Sequence, residues 1–260
     1  MGYIKALALL QFKHMFIINP NASDYCRNII TDQDIQSYPR TLSWNKSTHC
    51  CSWDGVHCDK TTGKVIELDL RCSQLQGKFH SNSSLFQLSN LKRLDLSYND
   101  FTGLRPHNFE LLLKNLTQLR DLNLDYVDIF SIIPLNFSSY LTDIRLPYIE
   151  LRGVLPERVL HLFDLESLDL SHNPQLTVRF PTTKWNSSAS LMKIPESFCQ
   201  LTSLLVLGMS YSNLLGPILW NLTNIEILYL DYNHLEGPIS HFSRFEKLKE
   251  LSLRNNNLDE

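Results

Sequence analysis

Residues 225–239, IEILYLDYNHLEGPI, carry apolar side chains at Ile225, Leu228, Leu230 and Leu235, an asparagine at Asn233 and a glycine at Gly237. In Leu228-Tyr229-Leu230 the two leucines are two positions apart, so on an extended chain they point to one face and Tyr229 to the other. A unit this short cannot bury its own apolar face and has to stack on copies of itself. The frame returns at residues 91–103, LKRLDLSYNDFTG, and in looser form along most of the chain.

Opening apolar positions fall at Val65, Leu91, Leu119, Leu141, Leu165, Leu191, Leu204, Ile225 and Leu248, 21 to 28 residues apart except for one interval of 13. A period near 24 is that of leucine-rich repeats. Strand cores are read at Leu68/Leu70, Leu94/Leu96, Leu122/Leu124, Ile144/Leu146, Leu168/Leu170, Leu207/Met209, Leu228/Leu230 and Leu251/Leu253. Asn99, Asn173, Asn233 and Asn256 follow as turn residues whose amides bond backbone between coils; Ser73, Val127, Ile149 and Ser212 interrupt that ladder. Glycines at the next bend and the apolar-proline pairs Ile133-Pro134, Leu155-Pro156, Phe180-Pro181 and Ile194-Pro195 disfavour helix on the far side.

The fold expected is an α/β repeat: a right-handed leucine-rich-repeat solenoid with one parallel sheet on the concave face, a mostly irregular convex side and an amino-terminal helical disulfide cap. Residues 1–60 form the cap. Residues 61–260 form about eight repeats, one truncated near 191–203 and the last incomplete.

In the cap, Leu9, Phe12 and Phe16 share one helical face, and Asn19-Pro20-Asn21 ends the helix. The polar stretch Ser23 to Arg40 offers few core candidates. In residues 42–58, LSWNKSTHCCSWDGVHC, the adjacent cysteines each reach elsewhere, and Cys51 and Cys58 enclose a short loop able to staple a sheet edge. His49 and His57 flank them, but the Cys-x2-4-Cys knuckle of zinc sites is missing, so no metal is expected.

A net charge of -3 and pI near 6.3 give no basis for a nucleic-acid or anionic-membrane partner. No window has the roughly 18 consecutive apolar residues of a membrane span, and Ala6 to Leu10 is short for a secretory h-region. Seven Asn-x-Ser/Thr triplets, at Asn21, Asn45, Asn82, Asn115, Asn136, Asn186 and Asn221, nevertheless suit a glycosylated extracellular surface.

The run SWNKSTHCCSWDGVHC joined to an LxxLxLxxNxLxGxIP frame resembles plant extracellular leucine-rich-repeat proteins. ALALLQFKHMF, QSYPRTLSWNKS, RFPTTKWNSSASLM and RFEKLKELSLRNNNLD look more closely like the receptor-like proteins of tomato that confer resistance to Cladosporium fulvum leaf mould. The resemblance implies an ectodomain at the extracellular side of the plasma membrane that detects pathogen effectors and signals through a partner receptor kinase, with no cofactor. Measured against that family the chain looks truncated and internally deleted, with no recognisable signal peptide or membrane helix. The resemblance also implies that Cys51 joins Cys58, and that Cys26 takes Cys50 by default or Cys50 stays free. Cys72 and Cys199 are read as unpaired.

Ligand contact is expected on the solvent-facing strand columns. Tyr98, Tyr126, Tyr148, Tyr211 and Tyr232 share the column before the asparagine, and Asp69, Asp95 and Asp169 lie between strand leucines. Tyrosine is a residue of binding hot spots, although such a column also stacks on itself and covers strand backbone. Asp95 and Asp169 are coils apart on an open face, which does not suit acid-base catalysis. The alternative to a receptor is a soluble inhibitor resembling those of fungal polygalacturonase, or an inactive fragment.

Overall fold

The computed structural model describes residues 2–27, 36–129, 131–133, 138–156, 159, 162–179, 201–217 and 222–259. Helix α1 (Gly2–Lys13) buries Ala8, Leu9 and Phe12, the stripe its period dictates. It stops well before Asn19. Strand β1 (Phe16–Ile18) intervenes, because Ile17 and Ile18 favour extended backbone. β1 pairs antiparallel with residues Leu75–Lys78, and the Phe16 ring packs 4.7 Å from Phe101.

Strand β2 (Val56–Cys58) pairs antiparallel with β3 (Val65–Asp69) and closes one edge of a long sheet. The chain then lays down β4 (Leu75–Lys78), β5 (Arg93–Asp95), β6 (Asp100–Thr102), helix α2 (Pro106–Asn115), β7 (Asp121–Asn123), β8 (Asp143–Arg145), β9 (Arg152–Val154) and β10 (Ser167–Asp169). After these come β11 (Gln175–Arg179), β12 (Val206–Gly208), β13 (Leu214–Pro217), β14 (Ile227–Tyr229), β15 (His234–Pro238), β16 (Glu250–Ser252) and β17 (Asn257–Asp259).

All eight leucine-x-leucine segments enter the long sheet in one register. Leu68, Leu94, Leu122, Ile144, Leu168, Leu207, Leu228 and Leu251 are successive partners across parallel strands. All are buried except Leu251, 42% exposed on the last coil. β10 pairs directly with β12, although Leu168 and Leu207 are 39 positions apart. The short interval at Leu191, with Phe180-Pro181, Ile194-Pro195, Asn186 and Cys199, lies outside the described residues, as do Pro134, Asn136 and Asn221.

The far side is more regular than expected. Segments after the asparagine turn form a second parallel ladder, β9-β11-β13-β15-β17, and β4 and β6 pair beside β1. Proline limits these strands but does not prevent them, since the residues before it are extended and their amides reach the next coil. Gly103, with φ +76, is needed in this layer, because a Cβ would meet Lys78 Cγ at 2.7 Å. The Leu104-Arg105-Pro106 departure also has a physical reading: Pro106 sits at the start of α2, where proline is favoured, and Phe109, Leu112 and Leu113 fill the core.

The asparagine ladder joins coil to coil. Asn173 Nδ2 donates to Leu146 O, Leu170 O and Ser171 O at 2.9, 2.8 and 3.2 Å, and its Oδ1 accepts from Leu151 N at 2.9 Å. Asn99 and Asn233 repeat the pattern. Ser212 partly replaces it, its Oγ donating to Leu170 O at 2.8 Å.

Candidate binding face

The residue before each ladder position is Cys72, Tyr98, Tyr126, Tyr148, His172, Tyr211, Tyr232 and Asn255, and all eight adopt left-handed backbone, φ 53 to 58. That conformation is unusual for an aromatic residue. It is held because each amide from Cys72 to Tyr232 donates to a carbonyl of the next coil, as Tyr98 N does to Asp125 O at 2.9 Å. The rings form one stack. Centroids lie 5.2 Å apart for Tyr98–Tyr126, 4.4 Å for Tyr126–Tyr148, 3.9 Å for Tyr148–His172, 4.5 Å for His172–Tyr211 and 4.1 Å for Tyr211–Tyr232. Tyr25, from the stretch read as polar, lies 4.6 Å from Tyr126.

Because neighbouring rings face one another, the stack presents edges and hydroxyls to solvent. Tyr148, Tyr211 and Tyr232 remain 41, 38 and 46% exposed. Burial, and for Tyr98 the hydrogen bond to Asp125, push Tyr98 and Tyr126 well above the ordinary range, and burial with the Tyr232 hydrogen bond raises Tyr211 to about 12. Burial lowers the His172 pKa, with the Asp169 charge opposing it.

The aspartates between strand leucines are turned toward local backbone. Asp169 Oδ1 accepts from Ser171 N at 3.0 Å, and Asp69 Oδ1 from Arg71 N at 3.0 Å, with Arg40 3.9 Å from its other oxygen. Asp95 is only 3% exposed and accepts from Ser97 N, Ser97 Oγ and Asn123 Nδ2 at 3.0, 2.6 and 3.2 Å. Burial raises its pKa. Asp125, one column over, went unread: its Oδ2 accepts from the Tyr98 hydroxyl and its Oδ1 is buried without a partner. Burial raises it to about 7 despite that hydrogen bond, with Asp169 and Asp95 adding to the shift and Arg145 opposing it.

The cysteines correct two expectations. Cys51 is joined to Cys58, Cα atoms 5.5 Å apart, beside β2. Cys26, however, is joined to Cys72, not Cys50, with Cα atoms 6.0 Å apart, so Cys72, expected to be unpaired, is bonded. The reason is β1: its pairing draws residues 19–27 over the first coil, where Ser23 Oγ donates to Tyr98 O at 2.8 Å and accepts from Gln74 N at 2.9 Å. Cys50 stays a buried free thiol, its pKa raised by burial. Although ligand atoms of His49, Cys50 and Cys51 cluster, the Cys51 sulfur is already committed to its disulfide.

Where residues 19–27 cross the coil they leave a cleft of about 250 Å³ against the first rings of the stack. Asn21, Asn45, Asn82 and Asn115 are exposed. None of the described helices is long and apolar enough to cross a membrane.

Stacked parallel coils joined by an asparagine ladder define a leucine-rich-repeat protein, and the Leucine Rich Repeat family model matches residues 90–112. Within that class the chain is a homologue of the Cf-9 group of plant receptor-like proteins, which are not enzymes. It is 62% identical to the Receptor-like protein Cf-9 homolog of Solanum lycopersicum, over 97% of this chain and 37% of the relative. To Receptor-like protein Cf-9 of Solanum pimpinellifolium it is 61% identical, over 96% and 36%. The chain thus spans little more than a third of these relatives. The first alignment runs over 315 positions, at least 55 more than the chain's 260 residues, so that relative carries segments absent here. Among solved structures, the ectodomain of the Arabidopsis thaliana receptor kinase GASSHO1/SCHENGEN3, in complex with CASPARIAN STRIP INTEGRITY FACTOR 2, superposes with a TM-score of 0.61 at 25% identity, covering 97% of this chain and 30% of that one.

Proposed function

We propose that this chain is part of the extracellular recognition domain of a plant receptor-like protein: residues 1–60 cap the array, and the open face of the long sheet binds a protein or peptide of the pathogen-effector class. Binding is passed on through a partner receptor kinase at the plasma membrane, and the exposed sequons at Asn45, Asn82 and Asn115, which do not line the cleft, carry glycans. The observation that carries the reading is the continuous stack from Tyr98 to Tyr232, with Tyr148, Tyr211 and Tyr232 exposed at their edges. Eight strands at about 4.8 Å span roughly 35 Å, enough for about 800 Å² per partner. The relatives' names and the factor bound by the Arabidopsis ectodomain support it.

The test is to immobilise the chain after secretion from plant cells and pass apoplastic fluid from infected and uninfected leaves over it. Whatever is retained is purified and titrated against wild type and a Tyr98→Ala/Tyr126→Ala/Tyr148→Ala triple. Saturable binding that the triple weakens at least tenfold is expected. A triple with wild-type affinity removes the stripe from the site, and no saturable ligand from either fluid removes the reading itself.

A further inference from the structure

The cleft under residues 19–27 has a one-sided chemistry. Asn19 Nδ2 donates to Gln76 Oε1 at 3.0 Å, and Gln76 Nε2 donates to Asp100 Oδ2 at 2.6 Å, a relay of neutral donors ending on a carboxylate. Tyr25, Tyr98 and Tyr126 complete the wall, and Asp100 is the one charged group among the described residues lining it. A volume of about 250 Å³ is below that of drug-sized sites and suits one long side chain.

Resting on the reading that a ligand lies on this face, we propose that the cleft seats a cationic side chain, lysine or arginine, of that protein or peptide ligand. Its N–H groups donate to Asp100 in a charge-assisted bond, and its apolar stem lies along the edges of the tyrosine rings. The Cys26–Cys72 disulfide makes the cleft possible, because it fixes the neighbouring Tyr25 as one wall. Charge complementarity of this kind sets specificity and orientation more than total affinity.

The probes are hexa-arginine and hexa-lysine peptides, with hexaglutamine as control, titrated at pH 7 and physiological salt. All proteins carry Asn21→Gln, which keeps an amide at the cleft and removes its sequon. Either basic peptide should bind saturably, at least tenfold more weakly to Asp100→Asn and about threefold more weakly to Tyr25→Ala, while Glu110→Gln on α2 changes affinity less than twofold. Tyr25 is 60% exposed, so its truncation leaves the fold standing. The assignment is overturned if neither basic peptide binds, if hexaglutamine binds as well, or if Glu110→Gln weakens binding as much as Asp100→Asn. A natural ligand that loses affinity in the tyrosine triple but keeps it in Asp100→Asn overturns the cleft alone and leaves the proposed function in place.

Discussion

The Tyr98 hydroxyl donates to Asp125 Oδ2 at 2.5 Å, joining two coils through an acid that burial raises from 3.8 to about 7. Between those values the native state holds more protons than the unfolded chain, so stability falls as pH rises from about 4 to 7 and is level above that as far as this group is concerned. Asp125→Asn removes the slope and keeps an acceptor for Tyr98. The variant should match wild type near pH 4 and exceed it at pH 7.5, by a ceiling of ~4 kcal/mol at about 1.4 kcal/mol per pH unit. Melts at pH 4, 5.5 and 7.5 decide it, and an offset that is constant with pH assigns the proton elsewhere.

Tyr148 has a left-handed φ of 55 between rings 4.4 and 3.9 Å away. Alanine loses both contacts and keeps the strained backbone, whereas glycine loses the contacts and relieves the strain. Tyr148→Gly should therefore be the more stable of the two by ~1 kcal/mol, the reverse of the usual order inside an element. Urea midpoints for the pair measure it. Alanine above glycine would mean the backbone there is not held left-handed.

The ladder gives a graded expectation. Asn173 is fully buried, and Asn173→Ala leaves the Leu146, Leu170 and Ser171 carbonyls and the Leu151 amide without it. A loss of ~2 to 4 kcal/mol follows from unmet buried backbone groups. Asn256, half-buried on the last coil, makes similar bonds where water can replace it, so Asn256→Ala should cost under half as much. Equal losses by denaturant titration would deny that burial sets the cost.

The register of the long sheet was legible because leucine-x-leucine leaves one way to face the core; a slip of one residue would expose every strand. The tyrosine column was legible as a column for the same reason. Its left-handed backbone was not, since no residue type there signals positive φ; tyrosine is not the glycine or asparagine that usually marks it. Asp125 and Asp100 stayed hidden because their importance comes from neighbours on other coils. Tyr25 and Cys26 were misjudged with the polar stretch around them, because only the pairing of β1 with β4 shows that this stretch folds back. The second sheet was missed by weighing proline over the extended residues that precede it.

That fold-back supplies the last expectation. Cys26–Cys72 closes 46 residues and holds the Pro20–Arg27 turn against the first coil. Loops of this size contribute roughly 2 to 4 kcal/mol when cross-linked. A Cys26→Ser/Cys72→Ser variant should lose about that much, become cleavable by protease within residues 19–27, and leave the Cys51–Cys58 staple intact. Non-reducing peptide mapping of wild type should recover Cys26 linked to Cys72, with Cys50 alkylated only after unfolding, since it lies 1% exposed beneath α1. A peptide joining Cys26 to Cys50 would place residues 19–27 elsewhere and dissolve the cleft wall that Tyr25 provides, so the map tests the geometry beneath the proposed site before any ligand is in hand.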